Sequence, residues 1–169
     1  MDNKFTNINL DRLNKVIDLC QKNYNEQTMS HAIRVANYAL THILVENCDV
    51  NCQKGLLYCC ALCHDLVEDT TVTVEEIADV ITFNETNDVI SYDKEHIKDI
   101  LNLLTHDKEE NDYIEYIKKI RNSKNFIAYV IKLADMKDHL IQLNTSDRLS
   151  LEVKAKLQKK YWEALPYLL

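Results

Sequence analysis

Apolar positions along this chain recur mostly at intervals of three and four residues, the period of a helix with one buried face. Leu10, Leu13, Val16, Ile17 and Cys20 form the first such stripe, behind a polar start, Met1 to Asn9, that is expected to be loosely held. Asn23 to Gln27 interrupts the period as a connector. Ser30 then offers an N-cap for a second helix running to about Val45, with Ile33, Ala36, Leu40, Ile43 and Leu44 on one side. After a connector at 47–55, the run from Leu56 to Cys63 is apolar all round, which predicts a buried helix. That helix is expected to end in His64-Asp65-Leu66-Val67-Glu68-Asp69-Thr70. Amphipathic helices are expected from Val74 to about Phe83 and from Tyr92 or Asp93 onward, the latter burying Ile97, Ile100, Leu101 and Leu104. Thr105 to Asp112 reads as a charged turn, followed by a helix carrying Tyr113, Ile114, Tyr116, Ile117 and Ile120. Phe126 to Leu143 repeats the buried-helix pattern. Leu151 to Leu165 makes a last helix, with Tyr161 and Trp162 packing inward and Pro166 ending it.

Composition narrows the fold to all-α. Gly and Pro occur once each, too rarely for the many tight turns of a β-rich chain. The 169 residues suit a single domain spanning 1–169, and 46% apolar with 28% charged residues is the make-up of a soluble globular protein. A formal charge of −7 argues against nucleic acid or an anionic membrane as the main partner. It leaves room for a small phosphorylated molecule, because a bound metal can reverse the local sign. With no basic N-terminus leading into a long apolar segment, neither a signal peptide nor a membrane span is expected, and the cytoplasm is the expected location. Oligomeric state is left open.

The cysteines change little. Cys48, Cys52, Cys60 and Cys63 invite a zinc reading, but the second pair lies inside the apolar run and the spacing between the pairs is short. Burial as small hydrophobes is the better reading.

The chemistry concentrates at His64 to Asp69, where four ionisable residues fall within six positions. Burying carboxylates beside an imidazole is costly unless something positive sits among them. A divalent metal suits that mixture of nitrogen and oxygen donors. An acidic, solvated helix end is the competing reading. His31 sits near the start of its helix with Arg34 one turn on, and Asp135 is set into an apolar run with Lys132 before it and His139 after it. Asp135 and His139 share a face. A salt bridge from Asp135 to Lys132 or Lys137 is the alternative to metal ligation.

His31, then His64-Asp65, then Asp135, each on its own helix, resembles the ligand set of the HD-domain metal-dependent phosphohydrolases. The segment from His64 to Thr70 is similar to the His-Asp-x-x-Glu-Asp-Thr of the RelA/SpoT-type branch, and Lys132-Leu133-Ala134-Asp135 to its Val-Lys-Leu-Ala-Asp segment. The resemblance spans about Leu10 to Trp162. It implies a helical bundle with one Mn²⁺ held by His31, His64, Asp65 and Asp135, and Glu68 and Asp69 positioning or deprotonating the attacking water. It further implies a small nucleotide substrate, such as a guanosine alarmone losing its 3′-pyrophosphate as in the stringent response, or the 2′-phosphate of NADPH as in animal relatives. The chain departs from the branch twice. Lys22 is the only basic residue between Lys22 and Met29, and His139 stands where the branch commonly has Asn. His139 is expected to contact substrate or to join the metal shell. Lys22, Arg34, Lys108 and Lys132 are candidate phosphate contacts, each with solvated surface charge as its plain alternative. In a different class, the domain would be a nucleotide- or metal-binding sensor with little turnover. A third, structural reading makes the carboxylates partners in salt bridges alone.

Overall fold

A computed structural model describes residues 10–45, 54–83, 92–107, 109, 112–145 and 149–169. Among these residues the chain is all-α, with nine helices and no strand: α1 (Leu10–Asn23), α2 (Glu26–Val45), α3 (Lys54–Leu62), α4 (Leu66–Asp69), α5 (Val74–Ile81), α6 (Lys94–Leu104), α7 (Tyr113–Ser123), α8 (Phe126–Thr145) and α9 (Leu151–Leu168). Lys108, Cys48 and Cys52 lie outside the described residues.

Most helix starts are written locally. Thr73 accepts from the Glu76 amide while the Glu76 carboxylate accepts from the Thr73 amide, a reciprocal cap for α5. Asp93, Asp112 and Ser150 cap α6, α7 and α9 in the simpler one-sided way. The start of α2 differs from the expectation. Asn25, not Ser30, provides the cap, its side-chain oxygen accepting from the amides of Gln27 and Thr28 at 2.9 Å each. Glu26 and Gln27 are therefore helical rather than connector, Ser30 is an exposed helical residue, and His31 lies more than a full turn into α2.

The core forms where the pattern is least amphipathic. In α3 every residue from Gly55 to Leu62 except Tyr58 is buried, and α3 packs against α1, α2, α6 and α8. Alanines at 32, 36 and 39 give α2 a narrow buried face, and α2 packs closely on both α3 and α8. Helix α8 contributes Ile127, Val130, Ile131, Met136 and Leu143 to the interior. Cys60 and Cys63 are buried free thiols in this core, and burial pushes the Cys60 thiol upward, against the thiolate a zinc site requires.

Three further differences from the sequence reading have local causes. The apolar helix does not run on through His64 to Asp69. It stops at Leu62, and a turn at 63–65 separates it from the short α4. The His64 ring bonds the Ala61 carbonyl at 2.8 Å, the acceptor that the Asp65 amide would use in a continuing helix. At the other end, α9 continues past Pro166 to Leu168. Pro166 forgoes a bond to the Trp162 carbonyl at a cost of about 3 kcal/mol, and full burial of Leu168 offsets roughly 2 kcal/mol of it. Trp162 does not pack inward; it is 60% exposed, while its neighbour Tyr161 is buried.

Between α7 and α8, Lys124 adopts a left-handed conformation with φ of 57°. A β-carbon there is strained, and glycine relieves it. Lys124→Gly is expected to raise unfolding free energy by about 0.5–1 kcal/mol in a urea titration, after the added chain entropy of glycine is deducted.

Candidate metal centre

Three segments meet where α2, the 63–65 turn and α8 converge. His31 comes from α2, His64 and Asp65 from the turn, and Asp135 and His139 from α8, one helical turn apart. His31 Nε2 lies 3.3 Å from Asp135 Oδ1 and 3.6 Å from Asp65 Oδ2. His64 Nε2 lies 3.2 Å from Asp65 Oδ1 and 3.9 Å from Asp135 Oδ1. His139 Nε2 is 3.0 Å from the same Asp135 oxygen.

These approaches are not hydrogen bonds. His31 Nε2, His64 Nε2 and Asp135 Oδ1 are all buried, and none has a hydrogen-bond partner. Orphaned buried polar atoms are rare and costly. Three of them pointing at one spot fit the residues to a shared cation. Donors about 2.1 Å from one ion are separated by about 3.0–3.4 Å when adjacent in octahedral or tetrahedral geometry. Three of the five spacings, 3.0, 3.2 and 3.3 Å, match the edges of such a shell, and those of 3.6 and 3.9 Å are longer.

The opposite side of each ring is fixed. His64 Nδ1 faces the Ala61 carbonyl, which can only accept, so Nδ1 carries the proton and Nε2 keeps its lone pair. His31 Nδ1 donates to Asp138 Oδ2 at 2.7 Å. Arg34 clamps that carboxylate with both arms, Nε to Oδ1 at 2.7 Å and Nη2 to Oδ2 at 3.0 Å. Burial works against the charge on Asp138, yet the bonds from His31 and Arg34 hold its carboxyl below the usual range. The turn supplies Asp65 differently. Asp65 occupies the N-cap position of α4 but its side chain caps nothing, which leaves the carboxylate turned toward the two imidazoles.

Electrostatics around Asp135 follow the same logic. Lys132 Nζ bonds its Oδ2 at 2.8 Å, so the salt bridge weighed from sequence is present, while Oδ1 has no hydrogen-bond partner. Burial opposes the Asp135 charge, but Lys132, His139 and His31 hold its carboxyl well below the ordinary range. Burial also opposes protonation of His31, and the Asp135 carboxylate close to Nε2 together with the hydrogen bond to Asp138 overrides it, pushing His31 up to about 10. A site so rich in carboxylate takes up a cation, or a proton in its place.

Beside the centre stands an aromatic wall. His139 stacks on Tyr161 with ring centroids 5.0 Å apart, and His106 stacks on Tyr116 at 4.6 Å. Lys132 sits over the Tyr113 and Tyr116 rings. Burial pushes the Tyr113 hydroxyl up to about 12, with Lys132 pulling it down and Asp135 and Glu68 adding to it. Glu68 is half-buried on this side, and its Oε1 accepts the His106 amide at 2.7 Å. Asp69 is exposed.

The structure thus gathers His31, His64, Asp65, Asp135 and His139 at one point, with Lys132 beside them. Arg34 is engaged with Asp138, and Lys22 is exposed at the end of α1. Sequence reasoning missed Asp138, fully buried between His31 and Arg34. The signal was there: a second aspartate three residues after Asp135 in the same apolar helix. A cleft of about 690 Å³ opens alongside, lined by Ser30, Arg34, His139 and Gln142 among others. No helix among the described residues is long and apolar enough to cross a membrane.

The family model of the HD domain matches residues 28–153, a span that contains every residue of this centre. No curated protein and no solved structure matches the chain. HD domains are of the metal-dependent phosphohydrolase type and bind divalent metals. From that span, and from the paired histidines and aspartates it covers, the chain belongs to the HD-domain family.

Proposed function

We propose that the protein is a cytoplasmic Mn²⁺-dependent phosphohydrolase of a small phosphorylated nucleotide, similar to a (p)ppGpp 3′-pyrophosphohydrolase. The observation that carries the metal chemistry is the convergence of three unpaired buried atoms, His31 Nε2, His64 Nε2 and Asp135 Oδ1. In this reading His31, His64, Asp65 and Asp135 hold the ion. When bound, a divalent cation lowers the pKa of coordinated water and offsets charge growing on phosphate oxygens.

The chain's own groups do the rest. Asp138 and Ala61 fix the two imidazole rings so that no reorientation is needed during turnover. Glu68, oriented by the His106 amide, accepts the proton of the attacking water. Asp69, at the exposed end of α4, orients that water or a substrate hydroxyl. Lys132 balances Asp135 and stands at the aromatic wall. Arg34, partly exposed toward the cleft, faces the phosphates, and Lys22 and Lys108 are further candidate phosphate contacts on charge alone.

Glu68→Gln is expected to retain cation affinity and lose about 10²–10⁴-fold in turnover, the range for removal of a general base. The deciding experiment is product identification after incubation of a nucleotide panel with added Mn²⁺, the panel including guanosine tetraphosphate and NADPH. Pyrophosphate from the first or phosphate from the second names the bond. Binding without release at high protein concentration defeats the enzyme reading in favour of a sensor.

A further inference from the structure

The geometry points to His139 as a fifth protein ligand of the same cation, giving a centre of three imidazoles and two carboxylates. This inference rests on the metal-centre reading and adds a donor to it. His139 Nε2 stands 3.0 Å from Asp135 Oδ1, close enough for a strong hydrogen bond. Yet Asp135 Oδ1 has no hydrogen-bond partner, so an N–H of His139 is not aimed at it. Two atoms at that distance without a bond between them share an edge of a coordination shell, as do His31 and Asp135 at 3.3 Å.

Two donor triads are present, His31 with His64 and Asp65, and His31 with Asp135 and His139. They share His31. Its Nδ1 is committed to Asp138, and Nε2 has a single lone pair. One imidazole nitrogen serves one cation, so the two triads describe one centre rather than two.

The His139 ring is also held for the task. It lies nearly parallel to the buried Tyr161, with an interplanar angle of 10°, and its other side meets His31 at 4.7 Å between centroids. Its place on α8, one turn after Asp135, presents both donors from the same helical face. A third imidazole moves the site away from Mg²⁺, which prefers oxygen and water, toward Mn²⁺, Co²⁺ or Zn²⁺. It also uses a coordination position that an amide at 139 would leave to water or substrate.

The test uses Mn²⁺ as the probe on chelator-stripped wild-type protein and His139→Asn, both carrying ¹⁵N-labelled histidine. Pulsed EPR counts the imidazole nitrogens coupled to the ion. Three in wild type and two in His139→Asn are expected. In parallel, calorimetry is expected to give at least a 10-fold loss of Mn²⁺ and Co²⁺ affinity, and a smaller loss for Mg²⁺. Only two coupled nitrogens in wild type, with unchanged Mn²⁺ affinity in His139→Asn, overturns the inference and leaves the four-residue centre standing. Wild-type protein that binds no Mn²⁺ removes the centre and the inference together. His139 is half-exposed, so the amide variant keeps the fold, and circular dichroism of the metal-free form checks this.

Discussion

Asp135→Ala is expected to bring Mn²⁺ binding and phosphohydrolase turnover below detection while destabilising the metal-free fold by about 3–5 kcal/mol. Both effects come from one carboxylate with two duties. Oδ1 faces His31, His64 and His139, and Oδ2 holds Lys132 at 2.8 Å. Removing the side chain leaves the Lys132 ammonium largely buried without its counter-charge, and the loss of one partner of a buried pair is the expensive case. The two duties separate in a double variant. Asp135→Ala with Lys132→Met is expected to recover most of the lost stability in a denaturant titration and none of the Mn²⁺ affinity by calorimetry. Wild-type affinity in Asp135→Ala would exclude a cation at this position.

The second large effect is thermal. Saturating Mn²⁺, at about a thousand times its dissociation constant, is expected to contribute about 4 kcal/mol, which raises the melting temperature by roughly 8–16 °C in a domain of this size. Excess chelator reverses the shift. The pH dependence has a definite sign. His31 is pushed from 6.5 up to about 10, because the nearby Asp135 carboxylate and the bond to Asp138 outweigh burial. A proton on its Nε2 occupies the lone pair that the cation needs, so affinity rises with pH by up to about tenfold per unit below that value. In metal-free protein the linkage runs the other way. A raised folded-state pKa contributes stability that is fully present below 6.5 and is lost as pH rises through about 10. Scanning calorimetry from about pH 6 to pH 9 should therefore show the metal-bound and metal-free melting curves drawing apart. No shift with millimolar Mn²⁺ at about pH 8 would remove the cation from the site.

Much of this was legible in the sequence because the causes are local. The stripes of Ile97, Ile100, Leu101 and Leu104, or of Tyr116, Ile117 and Ile120, mark buried faces directly, and each is buried as its period predicts. Asp93 caps α6 because a short side-chain acceptor before a helical run has one low-energy use. His64, Asp65 and Asp135 stood out as polar residues beside or within apolar runs, the resemblance to the HD domains added His31, and the structure brings the four close together.

What escaped the sequence reading depends on competition or on tertiary neighbours. The break after Leu62 arises because the His64 side chain takes a carbonyl from the backbone ladder, and helical periodicity does not register that contest. The role of Asp138 exists only because α2 and α8 pack side by side, which sets His31 and Arg34 against it across a hundred residues of chain. The Arg34–Asp138 pair was hidden for the same reason: the partner of Arg34 was invisible until the helices were assembled. Pro166 is tolerated because Leu168 finds a place in the core, again a tertiary fact.

The depth of His31 within α2 protects the centre from the weakest part of that helix. Terminal turns open and close on their own, and amides there exchange with solvent at nearly unfolded rates. With Asn25 as the cap and Glu26 as the first helical residue, such fraying is spent over Glu26 to Met29. The imidazole beyond it is cross-braced to α8 through Asp138. Detaching His31 therefore requires the two long helices to part, an opening on the scale of the whole fold rather than of one turn.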